Sequence, residues 1–226
     1  MQWNLKNSAF FIFSLLFLHP FHQQPTLIRM SFDDQAVRIL EEAEKLKLGC
    51  QHEESISLLE GLLLNDPANI AALEELADNE LSLERYDRAE KAAKQAVALD
   101  PQSYMGHYIL GFVASVRKEW VLAEPALKKA NELKPSNAEI LRCLGWVLFC
   151  KGEKVQGIVT LERALNLDSE STLCLCDLGM CYMEAKNMNK AYSLFERVLD
   201  FEPENERAKD CLEKMRRIRG IEQKAI

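Results

Sequence analysis

Apolar and polar positions along this chain keep a helical period that is broken at regular intervals. Large apolar residues stand at Leu76, Leu110, Leu144 and Leu178, thirty-four residues apart. Each is followed by a small residue, Ala77, Gly111, Gly145 and Gly179, and Ala43 fits one period earlier. The same spacing relates Ser55, Ala89, Ala123, Gly157 and Ala191, and again Leu62, Ala96, Ala130, Ala164 and Val198. Small residues at fixed places let two helix axes approach, because a bulky side chain there would push them apart. Each period therefore predicts two helices of roughly a dozen residues joined by a short turn, an αα-hairpin. The turns inside the hairpins are expected near 48–52, 84–87, 117–120, 151–154 and 186–189.

The punctuation has the same register. Pro67, Pro101 and Pro135 are one period apart, Pro203 is two periods further on, and Ser169 fills the vacant place. Two residues after each of these comes Asn69, Ser103, Asn137, Ser171 or Asn205, all strong helix N-caps. A turn proline followed by a capping residue is a helix-start signal.

These residues resemble the tetratricopeptide repeat family. The copy that carries the resemblance furthest has Leu175, Leu178-Gly179, Tyr182, Ala191, Phe195 and Pro203 at the family's spacings. The third copy has His107, Leu110, Gly111, Ala123, Leu127, Ala130 and Pro135. The resemblance implies an all-α, right-handed superhelical solenoid of about five hairpins, over 36–69, 70–103, 104–137, 138–171 and 172–205, closed by a capping helix over 205–219. In that cap Leu212, Met215 and Ile218 pack inward, while Arg207, Lys209, Asp210, Glu213, Lys214 and Arg216 face water; a basic docking tail is the alternative. Glu42 replaces the expected leucine in the first copy, so that copy is expected to be frayed or to act as a cap.

Composition then narrows the function. Of 226 residues 48% are hydrophobic and 28% charged, with 9 glycines and 7 prolines, so neither a disordered chain nor a long linker fits. The formal net charge of -7 argues against a nucleic-acid backbone as the main partner, since such binders need a cationic footprint. Seven cysteines in no disulfide-like spacing, most inside helical patterns, favour a reducing, cytoplasmic setting.

Residues 1–30 differ from the rest. They carry Lys6 and Arg29, no acid, and an apolar run over 9–18 that is about half the length needed to span a bilayer. Met30 opens a segment that reads like an ordinary start. Three readings stay open: an upstream extension, a signal or membrane anchor that would place the protein outside the cytoplasm, and a docked apolar segment.

The resemblance implies that the first helices of the hairpins line a concave face. Helical spacing places Tyr108, Phe112, Arg142, Trp146, Phe149, Met180 and Met183 on that face in copies three to five. Aromatics, Met and Arg are enriched at interface centres. The expected function is a non-catalytic scaffold that binds an apolar peptide or amphipathic helix of another protein. Arg142 is read as an anchor for a ligand carboxylate or carbonyl, and the acidic N-terminal half of the groove favours a basic flank on the ligand. The same apolar lining suits a chaperone-like holder of secreted or membrane-bound segments. Lysine, asparagine and arginine hold a C-terminal carboxylate in some family members; Glu44, Asp78, Phe112 and Trp146 stand on that surface here and do not fit.

No enzyme signature emerges. The chain lacks a phosphate-cradling glycine loop, a zincin helix, an EF-hand loop and a nucleophile elbow. Ser115 and Lys118 have the spacing of a serine–lysine pair at a helix end without supporting motifs. His107 stands where a core residue is expected and reads as a satisfied histidine. Cys174, Cys176 and Cys181 cluster, but residues two apart on a helix do not share a face. Metal or thiol chemistry is therefore the minor alternative, and neither cofactor nor metal is expected.

Overall fold

The fold comes from a computed structural model that describes residues 32–224, with side chains over 34–217. Residues 1–30, with the apolar run and Met30, lie outside the described residues, as do the side chains of Ile218 and Arg219. The described residues form five helical hairpins and a last helix. The hairpins are α1 (Phe32–Leu48) with α2 (His52–Asn65), α3 (Ile70–Ser82) with α4 (Tyr86–Leu99), α5 (Tyr104–Val116) with α6 (Trp120–Leu133), α7 (Ala138–Lys151) with α8 (Lys154–Leu167), and α9 (Thr172–Glu184) with α10 (Met188–Phe201). The last helix is α11 (Glu206–Lys224).

The same devices start and stop the helices in every copy. Asn69, Ser103, Asn137, Ser171 and Asn205 each accept a bond from the backbone N–H three residues on, the capping expected of them. Each first helix ends in a Schellman turn, in which a backbone N–H reaches back to a carbonyl five residues earlier. These bonds run from Gln51 to Leu46, Arg85 to Glu80, Glu119 to Ala114, Glu153 to Leu148 and Asn187 to Tyr182, all at 2.8–2.9 Å. The turn puts one residue per copy at positive φ: Cys50 (58°), Glu84 (57°), Lys118 (62°), Gly152 (110°) and Lys186 (60°). Four of the five turns thus bear a side chain in a backbone region costing about 1–2 kcal/mol, and the bond and the packing behind it offset that strain.

Small residues form the seams between paired helices. Ala43, Ala77, Gly111, Gly145 and Gly179 are all buried, as are Ser55, Ala89, Ala123, Gly157 and Ala191 of the same hairpins. Ser55 keeps its hydroxyl satisfied by donating to the Ala43 carbonyl at 2.9 Å. The approach is tightest between α7 and α8. A Cβ on Gly157 would lie 2.6 Å from the Phe149 amide nitrogen, and one on Gly145 would lie 2.9 Å from the Gly157 carbonyl oxygen.

The first helices also touch one another, α1 on α3, α3 on α5, α5 on α7 and α7 on α9, while among the described residues no two second helices pack comparably. The stack therefore curves with its first helices on the inner face. The core is continuous but local, each hairpin packing on its neighbours. Glu42 is exposed, and α1 is a continuous helix with Ala36 and Ala43 buried in the first cluster. It is not frayed, because its contacts to α2 and α3 use residues other than Glu42. At the far end Leu212 and Met215 of α11 are buried against α10, and Lys214, Arg216 and Arg217 face water, with Arg217 donating to Glu213 at 2.5 Å.

Candidate functional site

The inner face changes character along the stack. In its N-terminal half, Lys47 of α1 donates to Glu75 (2.6 Å) and Asp78 (3.0 Å) of α3, and the Ser103 hydroxyl donates to Glu74 at 2.6 Å. Burial draws the Lys47 pKa down, but its bonds to the two carboxylates outweigh that and raise it. This half is polar, and its charges are largely engaged in holding copy one on copy two.

In the C-terminal half, Tyr108 and Phe112 of α5 lie with ring centroids 6.1 Å apart. Trp146 of α7 and Met180 and Met183 of α9 are half-buried, each packed on one side against the core and open on the other. Six of the seven expected groove residues, Arg142 among them, are thus partly exposed on successive first helices. Phe149 is not: it is only 4% exposed. The reason is Gly157, whose missing side chain lets α8 close onto the backbone of α7 at Phe149.

Arg142 also differs from the expectation. Its guanidinium donates to Glu139 through Nε (2.8 Å) and Nη2 (2.5 Å), and to Asp177 through Nη1 (2.6 Å). Arg207 of α11 donates to the other oxygen of Asp177 at 3.1 Å, and the Tyr108 hydroxyl donates to Glu139 at 3.1 Å. These groups form a rail of alternating charge from α5 through α7 and α9 to α11. Burial would lower the Arg142 pKa, and the bonds and charges of Glu139 and Asp177 more than reverse it. Burial likewise pushes the Glu139 carboxyl up, and Arg142 holds it below its ordinary value. Burial raises the Tyr108 phenol, so it stays a donor at neutral pH. Arg142 is therefore a structural tie between copies four and five, with its charge already matched. Sequence reasoning missed Asp177 and Arg207. The available signal was Asp177 itself, the only charge in the apolar stretch 173–182, which required a cation once buried.

The thiols are buried in the same region. Burial pushes Cys174 up to about 12 and Cys176 up to about 11, and raises Cys143 and Cys181 further. A thiol held protonated is a poor nucleophile and metal ligand. Among the described residues no group of three or more His, Cys, Asp or Glu is placed to hold a metal ion. His107 is half-buried with its Nε2 3.2 Å from the Pro101 carbonyl oxygen. Among the described residues no helix is long and apolar enough to cross a membrane.

Comparison with known proteins follows the same lines. Tetratricopeptide repeat family models match residues 51–104 and 74–138, and residues 174–205, together just over half of the chain. The TPR repeat-containing protein MJ1428 of Methanocaldococcus jannaschii is 29% identical over 134 residues, 58% of this chain and 24% of that one. Among solved structures, TTC0263, a thermophilic TPR protein of Thermus thermophilus, superposes with a TM-score of 0.64 at 22% identity, covering 79% of this chain and 97% of that one. YrrB, described as a TPR protein with an unusual peptide-binding site, gives 0.58 at 19% identity, covering 80% and 97%. Structural likeness at such identities establishes the fold alone. The chain spans less than a quarter of the length of the curated relatives it matches.

Proposed function

The chain belongs to the tetratricopeptide repeat family, and we propose that it works as a non-catalytic scaffold that holds an apolar or amphipathic segment of another protein on its inner face. The family fold supports the general role of a protein-interaction scaffold. The finer reading rests on one observation: Tyr108, Phe112, Trp146, Met180 and Met183 present partly open apolar surface on three successive first helices. Aromatic and Met side chains give large contact area at modest ordering cost. A matched charge rail beneath them leaves no free cation there to demand an anionic ligand. Lys47 is one cation for the two carboxylates Glu75 and Asp78, and Glu44 is exposed, so the N-terminal half stays net acidic and favours a basic end on a ligand long enough to reach it. The Met pair, being adaptable, also supports a chaperone-like holder of several client segments. Buried, protonated thiols support a reducing, cytoplasmic setting.

The test is photo-crosslinking from positions 112 and 180, with position 64 on the outer helix α2 as control. Adducts to another polypeptide are expected from 112 and 180 and not from 64. A Phe112→Asp, Met183→Asp double variant that keeps its helical circular dichroism is expected to weaken capture at least about tenfold, as loss of central anchors does. Equal labelling from all three positions, or undiminished capture by the double variant, would rule out the inner face.

A further inference from the structure

The edge of the stack where the hairpins turn departs from the repeat pattern in copies three and four. The second helix of each copy begins with His52, Tyr86, Lys154 and Met188 in four copies, and with Trp120 in the third. The next position holds Glu53, Asp87 and Asn189 in copies one, two and five, but Val121 and Val155 in copies three and four, 75% and 77% exposed. Leu122, 62% exposed, stands where the other copies have Glu54, Arg88, Gln156 and Lys190. Core packing uses none of these three side chains, and grouped exposed apolar residues mark interaction sites.

Beside them opens a cavity of about 560 Å³, between the α5–α6 turn and the ends of α7 and α9. Lys118, Trp120, Trp146, Phe149, Lys154 and Glu184 line it. Its size lies within the range of about 300–1,000 Å³ typical of ligand pockets. Gly152 stands at its rim, and a Cβ there would meet nothing within 4 Å, so the one turn without a side chain leaves the mouth open. The polar groups of this cavity are mainly unmet donors. Neither indole N–H has an acceptor among the described residues, and Lys118 has no carboxylate partner there. Lys154 donates to Glu184 at 2.7 Å and lies 5.7 Å from the centroid of the Phe149 ring. Two lysines and one glutamate line the cavity, so its wall carries a net positive charge on a chain of net charge -7.

We propose that this turn edge, which adjoins the inner face at Trp146, is a further docking site for an extended segment of a partner that carries one aromatic or branched aliphatic anchor flanked by carboxylates. The anchor enters between Trp120 and Trp146 with Phe149 as the floor. A flanking carboxylate meets Lys118, the segment's acceptors meet the indole N–H groups, and its apolar neighbours cover Val121 and Val155. The charge sense is opposite to that expected at the acidic N-terminal half of the inner face, which distinguishes this ligand chemically.

The full chain with Trp3→Phe leaves Trp120 and Trp146 as its only indoles, so their emission reports on the cavity and on the inner face at Trp146, and variants at Lys118 and Val121 tell the two apart. The probe is a seven-residue peptide with phenylalanine at its centre and glutamates on both sides. Controls replace the glutamates by lysines, or the phenylalanine by alanine. A saturable emission change is expected with the acidic probe, at least tenfold tighter than with either control. Lys118→Glu is expected to weaken it at least tenfold, and this variant folds because Glu84 occupies the same turn position at φ 57°. Val121→Glu is expected to weaken it as well, and Glu53 shows that the stack accepts glutamate there. No emission change, equal binding of the lysine control, or an unchanged affinity in Lys118→Glu would overturn the site. Crosslinking of the probe from position 180 would place it on the inner face, overturning the edge site while leaving the inner-face reading intact.

Discussion

A buried carboxylate is costly, and Glu80 of α3 shows how this chain tolerates one. It is 1% exposed; Arg88 comes within 2.6 Å of one oxygen and Arg85 within 3.8 Å of the other. Yet neither oxygen receives a well-aligned hydrogen bond. Burial pushes its carboxyl above the ordinary 4.5, and the charges of Arg88 and Arg85 only partly oppose this. A raised carboxyl pKa means that the folded chain holds a proton the unfolded chain has released. Glu80 therefore costs stability as pH rises through the window above 4.5. Glu80→Gln is expected to unfold at a higher urea concentration than the wild type at neutral pH, and the difference should shrink as pH approaches the ordinary carboxylate value. A lower midpoint for the variant at neutral pH would mean that the arginine pairs outweigh burial. Asp177 is the contrasting case: two arginines donate to it directly, one to each oxygen. From the sequence Glu80 reads only as an acid in a helical segment, and Asp177 stands out only as a lone charge in an apolar stretch. What separates them is which cations the neighbouring copies deliver, and that depends on packing.

At the scale of the element, hairpin geometry follows from which small residue faces which. The α7–α8 seam has glycine on both sides, Gly145 and Gly157, where the other hairpins have at most one. Gly157→Ala would gain about 1 kcal/mol of helix propensity but overpack a backbone contact, at about 1–3 kcal/mol. The blocking atoms are the Phe149 amide nitrogen and the Gly145 carbonyl oxygen, which cannot swing away. A net loss of stability is expected, measured as a lower midpoint in urea. Gly61 is the control: a Cβ there meets nothing within 4 Å, so Gly61→Ala should gain stability from helix propensity alone. Helix starts, turns and seams were all legible in the sequence, because caps, prolines and small residues act over a few positions. Phe149 is more buried than its spacing suggested, for the opposite reason. Its exposure depends on how closely a partner helix approaches, which no spacing within α7 reveals.

For the whole molecule, the repeat was legible and the partner was not. Thirty-four-residue spacing fixes which helices pair, and the family resemblance implies which face is inner, the face on which the first helices meet. It says nothing of whether a charge such as Arg142 waits for a ligand or ties two copies together. The ties themselves are regular. Arg85 to Glu53, Arg88 to Glu60, Arg117 to Asp87, Lys151 to Glu124, Lys154 to Glu184 and Arg207 to Asp177 each join residues about one copy apart. Helix packing has the same reach, so among the described residues no copy braces another beyond its neighbours. Such a stack answers tension as a ladder, rung by rung. Pulled from its two ends in an optical trap, it should yield in steps of one hairpin, each releasing up to about 110–120 Å of contour for thirty-four residues. A ligand that spans copies three to five should fuse their steps into one larger event. A single rupture of the whole stack without ligand would show that the copies are coupled beyond their nearest contacts.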